Sequence, residues 1–250
     1  MIPRVIPCLL LRDRGLVKTV QFGSDVYIGD PVNAVRIFND KEVDELIFLD
    51  IDATREGRGP DLEIIYEIAG ESFMPVAYGG GISTFEDAQR VIRAGVEKVV
   101  INSTAYRSLD VIREVSAVYG AQAVVGAVDA KKALLGGYKL YSRSGTREEK
   151  VKLTDHIAAL VDAGVGEVFV NSIDRDGKMS GYDIELIRRV SSATPTPVIA
   201  CGGAGSVADL AEAVEKGGAS AVAAGSIFVF RGKHKAVLIN YPRGAFVDVS

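Results

Sequence analysis

Two apolar runs in this chain end in adjacent glycines, and the two runs are copies of each other. Val198-Ile-Ala-Cys-Gly-Gly-Ala-Gly-Ser206 is followed by Asp209, and Pro75-Val-Ala-Tyr-Gly-Gly-Gly-Ile-Ser83 is followed by Glu86. Ala77 and Ala200 are 123 positions apart. Ile51-Asp52 echoes Ile173-Asp174 at 122, and Asn102-Ser103 echoes Gly225-Ser226 at 123. A chain of 250 residues with such echoes reads as two related halves, about 1–120 and 121–250. Each half carries a strand ending in glycines that open a helix, where backbone N–H groups can approach an anion closely.

The elements follow the same rhythm. Period and punctuation predict parallel-type strands over 4–11, 45–51, 74–78, 98–102, 123–129, 167–172, 197–201 and 219–224. Helices are predicted over 31–38, 62–69, 83–94, 109–119, 155–163, 182–191 and 207–216. Asp30-Pro31 is a helix start, and Ser83 with Glu86 has capping-box spacing. Residues 18–29 read as a long polar loop, 138–142 as an extra hairpin strand, and 233–240 as about two helical turns stopped by Pro242. The tail 243–250 has no periodicity.

Near-continuous apolar strands separated by helices imply a parallel sheet covered on both faces. Eight such units in this length predict one α/β domain over 1–250, a (β/α)8 TIM barrel of two duplicated half-barrels. A doubly wound open sheet is the runner-up, disfavoured because no Gly-x-Gly-x-x-Gly follows the first strand. A hydrophobic fraction of 48% suffices for a large core, and a net charge of -4 argues against a nucleic-acid surface. No apolar run approaches the ~18 residues of a membrane span, and the N-terminus lacks a signal-peptide layout. Cys8 and Cys201 sit in apolar runs and read as reduced core thiols of a cytoplasmic protein. His156 and His234 lie in unrelated segments, so neither a metal nor an organic cofactor is expected.

In a barrel the C-terminal strand ends face the active site. Gly202, Gly203, Gly225 and Ser226 form one expected phosphate cup; Gly80, Gly81, Asn102 and Ser103 form its duplicate. Two cups at one mouth suit an elongated small molecule with a phosphate at each end. Asp129 ends the fifth strand and is the candidate general acid–base group. Asp50, Asp176 and Gly177 are candidate ligand contacts, and Lys18 a candidate mobile cation over a phosphate. The counterpart of Asp129 in the first half, at an offset of 119, is Leu10, which cannot transfer a proton. Asp13 is three residues further on and could reach the mouth only through a turn.

Taken together, Ile6-Pro-Cys8, Val17-Lys18, Phe48-Leu-Asp50, Gly79-Gly-Gly-Ile82, Asp129-Ala-Lys131, Ser172-Ile-Asp-Arg-Asp-Gly177 and Gly202-Gly-Ala-Gly205 resemble the cyclase subunit family of imidazole glycerol phosphate synthase, over residues 1 to about 230. That resemblance implies ammonia addition to a bisphosphorylated ribonucleotide analogue and ring closure by two aspartates. Asp129 matches the second of these; Leu10 stands at the position of the first, which argues against ordinary cyclase chemistry. It also implies a glutaminase partner on the N-terminal face and an ammonia gate formed by Arg4, Glu45, Lys98 and Glu167. A gate without the first aspartate is similar to a paralogous group from surface-polysaccharide synthesis. Its members pass ammonia to a sugar amidotransferase that turns an acetamido group into an acetamidino group. A working histidine-pathway cyclase and a non-catalytic phosphate-binding scaffold are the alternatives.

Overall fold

The computed structural model describes residues 2–232 and 234–242. The chain opens with β1 (Arg4–Arg12), which turns back through β2 (Gly15–Thr19) and β3 (Asp25–Gly29) before α1 (Pro31–Asp40). Next come β4 (Leu46–Asp50), the one-turn α2 (Ala53–Glu56), α3 (Leu62–Glu71), β5 (Val76–Gly79), α4 (Phe85–Arg93), β6 (Lys98–Ile101) and α5 (Asp110–Tyr119). The second half runs β7 (Val124–Lys132), β8 (Tyr138–Ser142), β9 (Arg147–Glu149), α6 (Leu153–Ala163), β10 (Glu167–Ser172) and α7 (Ile184–Ala193). It ends with β11 (Val198–Cys201), α8 (Val207–Glu215), β12 (Ala221–Ala224), α9 (Ser226–Val229), β13 (Phe230–Arg231) and β14 (Ala236–Val237).

Eight strands pair in parallel in the order β10-β11-β12-β1-β4-β5-β6-β7, and β10 pairs with β7 to close the ring. This is a (β/α)8 barrel, with α1 and α3 to α8 as crossovers between successive staves. The helices bury one face each, for example Ala34, Val35 and Phe38 of α1 and Leu186, Ile187 and Val190 of α7. Their residues join the outward side chains of the strands in one shell of core.

The repeat reaches individual hydrogen bonds. Leu46 N–H donates to Pro75 O at 2.9 Å, and Val168 N–H to Pro197 O at 2.9 Å, both partners displaced by 122. Ile51 N–H meets Leu11 O at 3.1 Å, and Ile173 N–H meets Ala130 O at 2.9 Å. Leu11 and Ala130 differ by 119, which independently sets Leu10 against Asp129.

Three expectations need correction. The capping box of α4 is made by Thr84 and Asp87 rather than Ser83 and Glu86, matching Ser206 and Asp209 on α8. Ser83 instead donates to Asp87 from both its backbone N–H and its hydroxyl, so it steadies the cap from outside. Residues 18–29 are no loop: β2 and β3 form an antiparallel excursion from the end of β1, just as β8 and β9 do from the end of β7. Alternation in Gly15–Thr19 and Asp25–Gly29 is short and interrupted by polar side chains, so its period was hidden. In place of the helix expected over 233–240, the described residues 234–240 form part of a short hairpin and an extended strap. Tyr241 of that strap packs on Phe228 and its hydroxyl donates to Val5 O at 3.0 Å. The tail 243–250 lies outside the described residues.

Candidate active site and base ring

Side chains alternate across each stave, so every second residue points into the barrel. Starting from the base, β1 sends in Arg4, Ile6, Cys8 and Leu10; β10 sends in Glu167, Phe169 and Asn171. The inward residues sort by height into three layers. At the base, Lys98 bridges Glu45 at 2.9 Å and Glu167 at 2.7 Å, and Arg4 pairs with both same carboxylates. Two cations and two anions thus close a ring with no net charge. Glu45 is 2% exposed, and such pairing is what makes its burial tolerable. Burial lowers the Arg4 guanidinium pKa, but the two carboxylates outweigh it and the net direction is up.

Above the ring is an apolar layer. Ile6, Ile47, Ala77, Val100, Val125, Phe169, Ile199, Ala221 and Ala223 pack against one another, nearly all of them fully buried. The interior at this height is a filled core rather than an open bore. At the mouth, a cavity is lined by Cys8, Leu10, Lys18, Asp50, Gly80, Gly81, Asn102, Ser103, Asp129, Asn171, Asp176 and Gly225, among others. Cys8 and Cys201 are buried free thiols at its floor. The Cys201 thiol is pushed far up by its hydrogen bond with Cys8, with burial adding to it.

Asp129 is one of three carboxylates that line this cavity, with Asp50 and Asp176. Burial drives its pKa up to about 7; the Asn171 amide opposes the rise, and the Asp176 charge adds to it. Asn171 is its register partner on β10, and Asn102 Nδ2 lies 3.3 Å from its Oδ2. A group titrating near neutrality can both give and take a proton. The strand order sets β1 four staves from β7, so Leu10 occupies the opposite wall. It lines the same cavity, and no proton can pass from it. Asp13 does not replace it: Asp13 sits in the β1–β2 turn with φ 47° and lines a separate cavity with Arg14, Arg58 and Asp61.

The mouth gathers the first-half glycines and Asn102-Ser103 with Lys18, Asp50, Asp129, Asp176 and Gly225; its lining does not include Gly177, Gly202, Gly203 or Ser226. The structure gives those glycines packing duties. A Cβ on Gly203 would sit 2.2 Å from Gly181 O, and one on Gly177 would sit 2.3 Å from Thr19 O. Ser226 is buried, and its hydroxyl has no partner among the described residues. Lys18 is not a mobile cation. It is 7% exposed, and its ammonium donates to Asp176 Oδ1 at 2.8 Å and to Thr19 O at 2.8 Å. Thr19 Oγ1 donates to the other Asp176 oxygen at 3.0 Å, so the β2 strand is clamped onto the loop after β10. Asp50 accepts from Asp52 N–H and Ala53 N–H at 3.1 and 3.0 Å, which makes it the organiser of the loop after β4. Sequence reasoning passed over Asn171. Its signal was available: a polar residue at the inward phase of an apolar strand, two steps above Phe169.

The family model for histidine biosynthesis proteins matches residues 4–235. The chain belongs to this family. Within it, a Pseudomonas aeruginosa protein provisionally named imidazole glycerol phosphate synthase subunit hisF2 is 56% identical, the alignment covering 98% of both chains. A Leptospira borgpetersenii protein with the provisional name subunit HisF is 47% identical over 97% of this chain and 96% of its own. Imidazole glycerol phosphate synthase subunit HisF of Alkaliphilus metalliredigens is 42% identical over 90% of this chain and 89% of its own. Among the described residues, this HisF-like barrel has no cluster of three or more His, Cys, Asp or Glu that could hold a metal ion. No described helix is long and apolar enough to cross a membrane.

Proposed function

We propose that this HisF-like barrel is the ammonia-receiving partner of a glutaminase and hands ammonia on for amidation of a sugar, acetamido to acetamidino, in surface-polysaccharide synthesis. One observation carries the reading: the base keeps a complete four-residue ring while the mouth has Leu10 opposite Asp129. Ammonia handling needs the ring; ring closure on two aspartates needs a carboxylate at position 10, where Leu10 stands. Glutaminase docks on the base. Because the layer of Ile6, Ile47 and Phe169 is packed, passage requires the ring and this layer to part when the glutaminase is engaged.

The second reading is a working cyclase, favoured by the Asp129 pKa of about 7 and by Asp176 near it. Loss of one acid–base group typically lowers a rate by ~10²–10⁴-fold, so the readings separate cleanly. The purified chain is given the bisphosphorylated ribonucleotide analogue and ammonium salt, and imidazole formation is followed. Background turnover is expected; rapid ring closure would reverse the assignment. In the reconstituted glutaminase–amidotransferase system, Glu167→Lys is expected to abolish glutamine-dependent amidation while leaving the ammonium-dependent reaction intact. Undiminished glutamine-dependent amidation would instead favour a phosphate-binding scaffold.

A further inference from the structure

A second cavity of about 320 Å³ lies beside the mouth. The two share a wall made by Thr54, Gly81, Ile82, Ser103 and Thr104. The expected first-half phosphate cup is therefore open on two sides. The lining of the second cavity contains four arginines, Arg58, Arg107, Arg143 and Arg147, and one acidic residue, Glu149. They come from three separate stretches: the loop after α2, the segment after β6, and the β8–β9 hairpin. In a chain with net charge -4, this is a concentrated positive site.

Two of the four are already used. Arg58 pairs with Glu56 at 2.5 Å and Asp50 at 3.4 Å, and Arg147 with Glu149 at 3.2 Å. The other two have no carboxylate among the described residues. The Arg143 guanidinium donates to Arg55 O at 3.1 Å, and Arg107 makes no ion pair among the described residues. The Arg143 backbone is nevertheless held in place. Its N–H donates to Ser103 Oγ at 2.9 Å, and the next residue, Ser144, donates to Ile51 O at 2.5 Å. Arg143 and Ser144 have φ of 51° and 55°, a left-handed turn that non-glycine residues enter at some cost. The turn is thus fastened to the rim of the cup, and the guanidinium at its tip is neutralised by no carboxylate among the described residues.

We infer that this cavity is a second anion subsite, adjoining the first-half phosphate cup, and that the pair takes a diphosphate group such as that of a nucleoside diphosphate. The proposal rests on the reading of the cup as a phosphate site. One phosphate occupies the glycine cup at Gly81 and Ser103. The adjacent phosphate reaches the Arg107 and Arg143 guanidiniums, whose planar donor forks match phosphate oxygens. An isolated monophosphate would use only the cup. The subsite therefore sets a specificity for ligands carrying two neighbouring anionic groups.

Calorimetric titration of the full chain with inorganic phosphate, pyrophosphate and uridine diphosphate tests this. Pyrophosphate and the nucleotide are expected to bind about tenfold or more tightly than phosphate. That advantage is expected to disappear in the Arg107→Gln/Arg143→Gln variant, with the affinity for phosphate unchanged. The Arg107→Lys/Arg143→Lys variant should keep part of the advantage, and thermal melts of both confirm that they fold. Equal affinity for phosphate and pyrophosphate overturns the subsite while leaving the cup reading standing. An advantage that survives in the double Gln variant also overturns it. Arginine-dependent pyrophosphate binding without phosphate binding keeps the subsite and removes the cup reading. No binding of any of the three overturns both.

Discussion

At the scale of single residues, two positions decide the chemistry available to this barrel. Asp129 and Leu10 are equivalent in the repeat, face one cavity, and differ in the one property that proton transfer requires. Leu10→Asp is expected to raise the ammonium-dependent ring-closure rate by tenfold or more, read in the same assay as the parent. His156 illustrates a different consequence of burial. Its ring stacks on Tyr106 at 4.1 Å, and Nε2 has no hydrogen-bond partner among the described residues. Burial lowers its pKa from 6.5 to about 4, with Glu149 opposing the shift. The unfolded chain therefore takes up the proton first. The corresponding stability is fully present above pH 6.5 and is lost as pH falls toward 4. The loss is on the order of 3 kcal/mol. His156→Phe keeps the stacking surface and removes the titration, so its denaturation midpoint should be flatter than the parent's across that window.

Among the elements, the matched helix caps and the matched hairpins carry the repeat into three dimensions. Thr84 with Asp87 and Ser206 with Asp209 each satisfy N–H groups at a helix start beside a glycine turn. Thr84→Ala and Ser206→Ala are each expected to lower stability by about 1 kcal/mol, and to add in the double variant because the helices do not share a cap. Urea titration measures both. The capping pattern was legible in the sequence for α8, where Ser206 and Asp209 stand at the right spacing. It slipped by one residue for α4, because Ser83 precedes Thr84 and Glu86 precedes Asp87, so two overlapping boxes compete on paper. The β2–β3 excursion was not legible. Its strands become strands only by pairing onto β1, where Leu11 faces Leu16 and Leu10 faces Val17. In the β8–β9 counterpart, β8 was visible because Tyr138–Ser142 carries a β-rich run of its own.

For the whole molecule, the barrel is a stack of three chemically different layers: a charge ring, an apolar plug and a polar mouth. The ring couples strands that are far apart in sequence, with Arg4 and Glu167 separated by 163 residues. Removing one member leaves the ring with a net charge in a poorly hydrated place. Lys98→Met should cost about 2–4 kcal/mol, somewhat under the full penalty of a buried pair because the Lys98 side chain is 16% exposed. The double variant Lys98→Met/Glu45→Met should recover part of the loss, and thermal unfolding reads the difference. The ring members were named in the sequence through the resemblance to the cyclase subunit family; Arg4, Lys98 and Glu167 open their staves, and Glu45 immediately precedes β4.

By itself, then, the sequence determined what local periodicity and internal repetition can carry: eight staves, their crossovers, and the mismatch of Leu10 with Asp129. These follow from steps of two and 3.6 along one chain and from the glycine turns that end the strands. Only the tertiary structure decided which side chains meet. Lys18 looked free and is bound by Asp176, 158 residues away. Arg107 and Arg143 carried no signal in the sequence and line one cavity. The strap 236–241 replaces a helix because Tyr241 finds Phe228 and the Val5 carbonyl. Such pairings depend on the closure of the ring between β10 and β7, a property of the assembled chain that no window of residues contains.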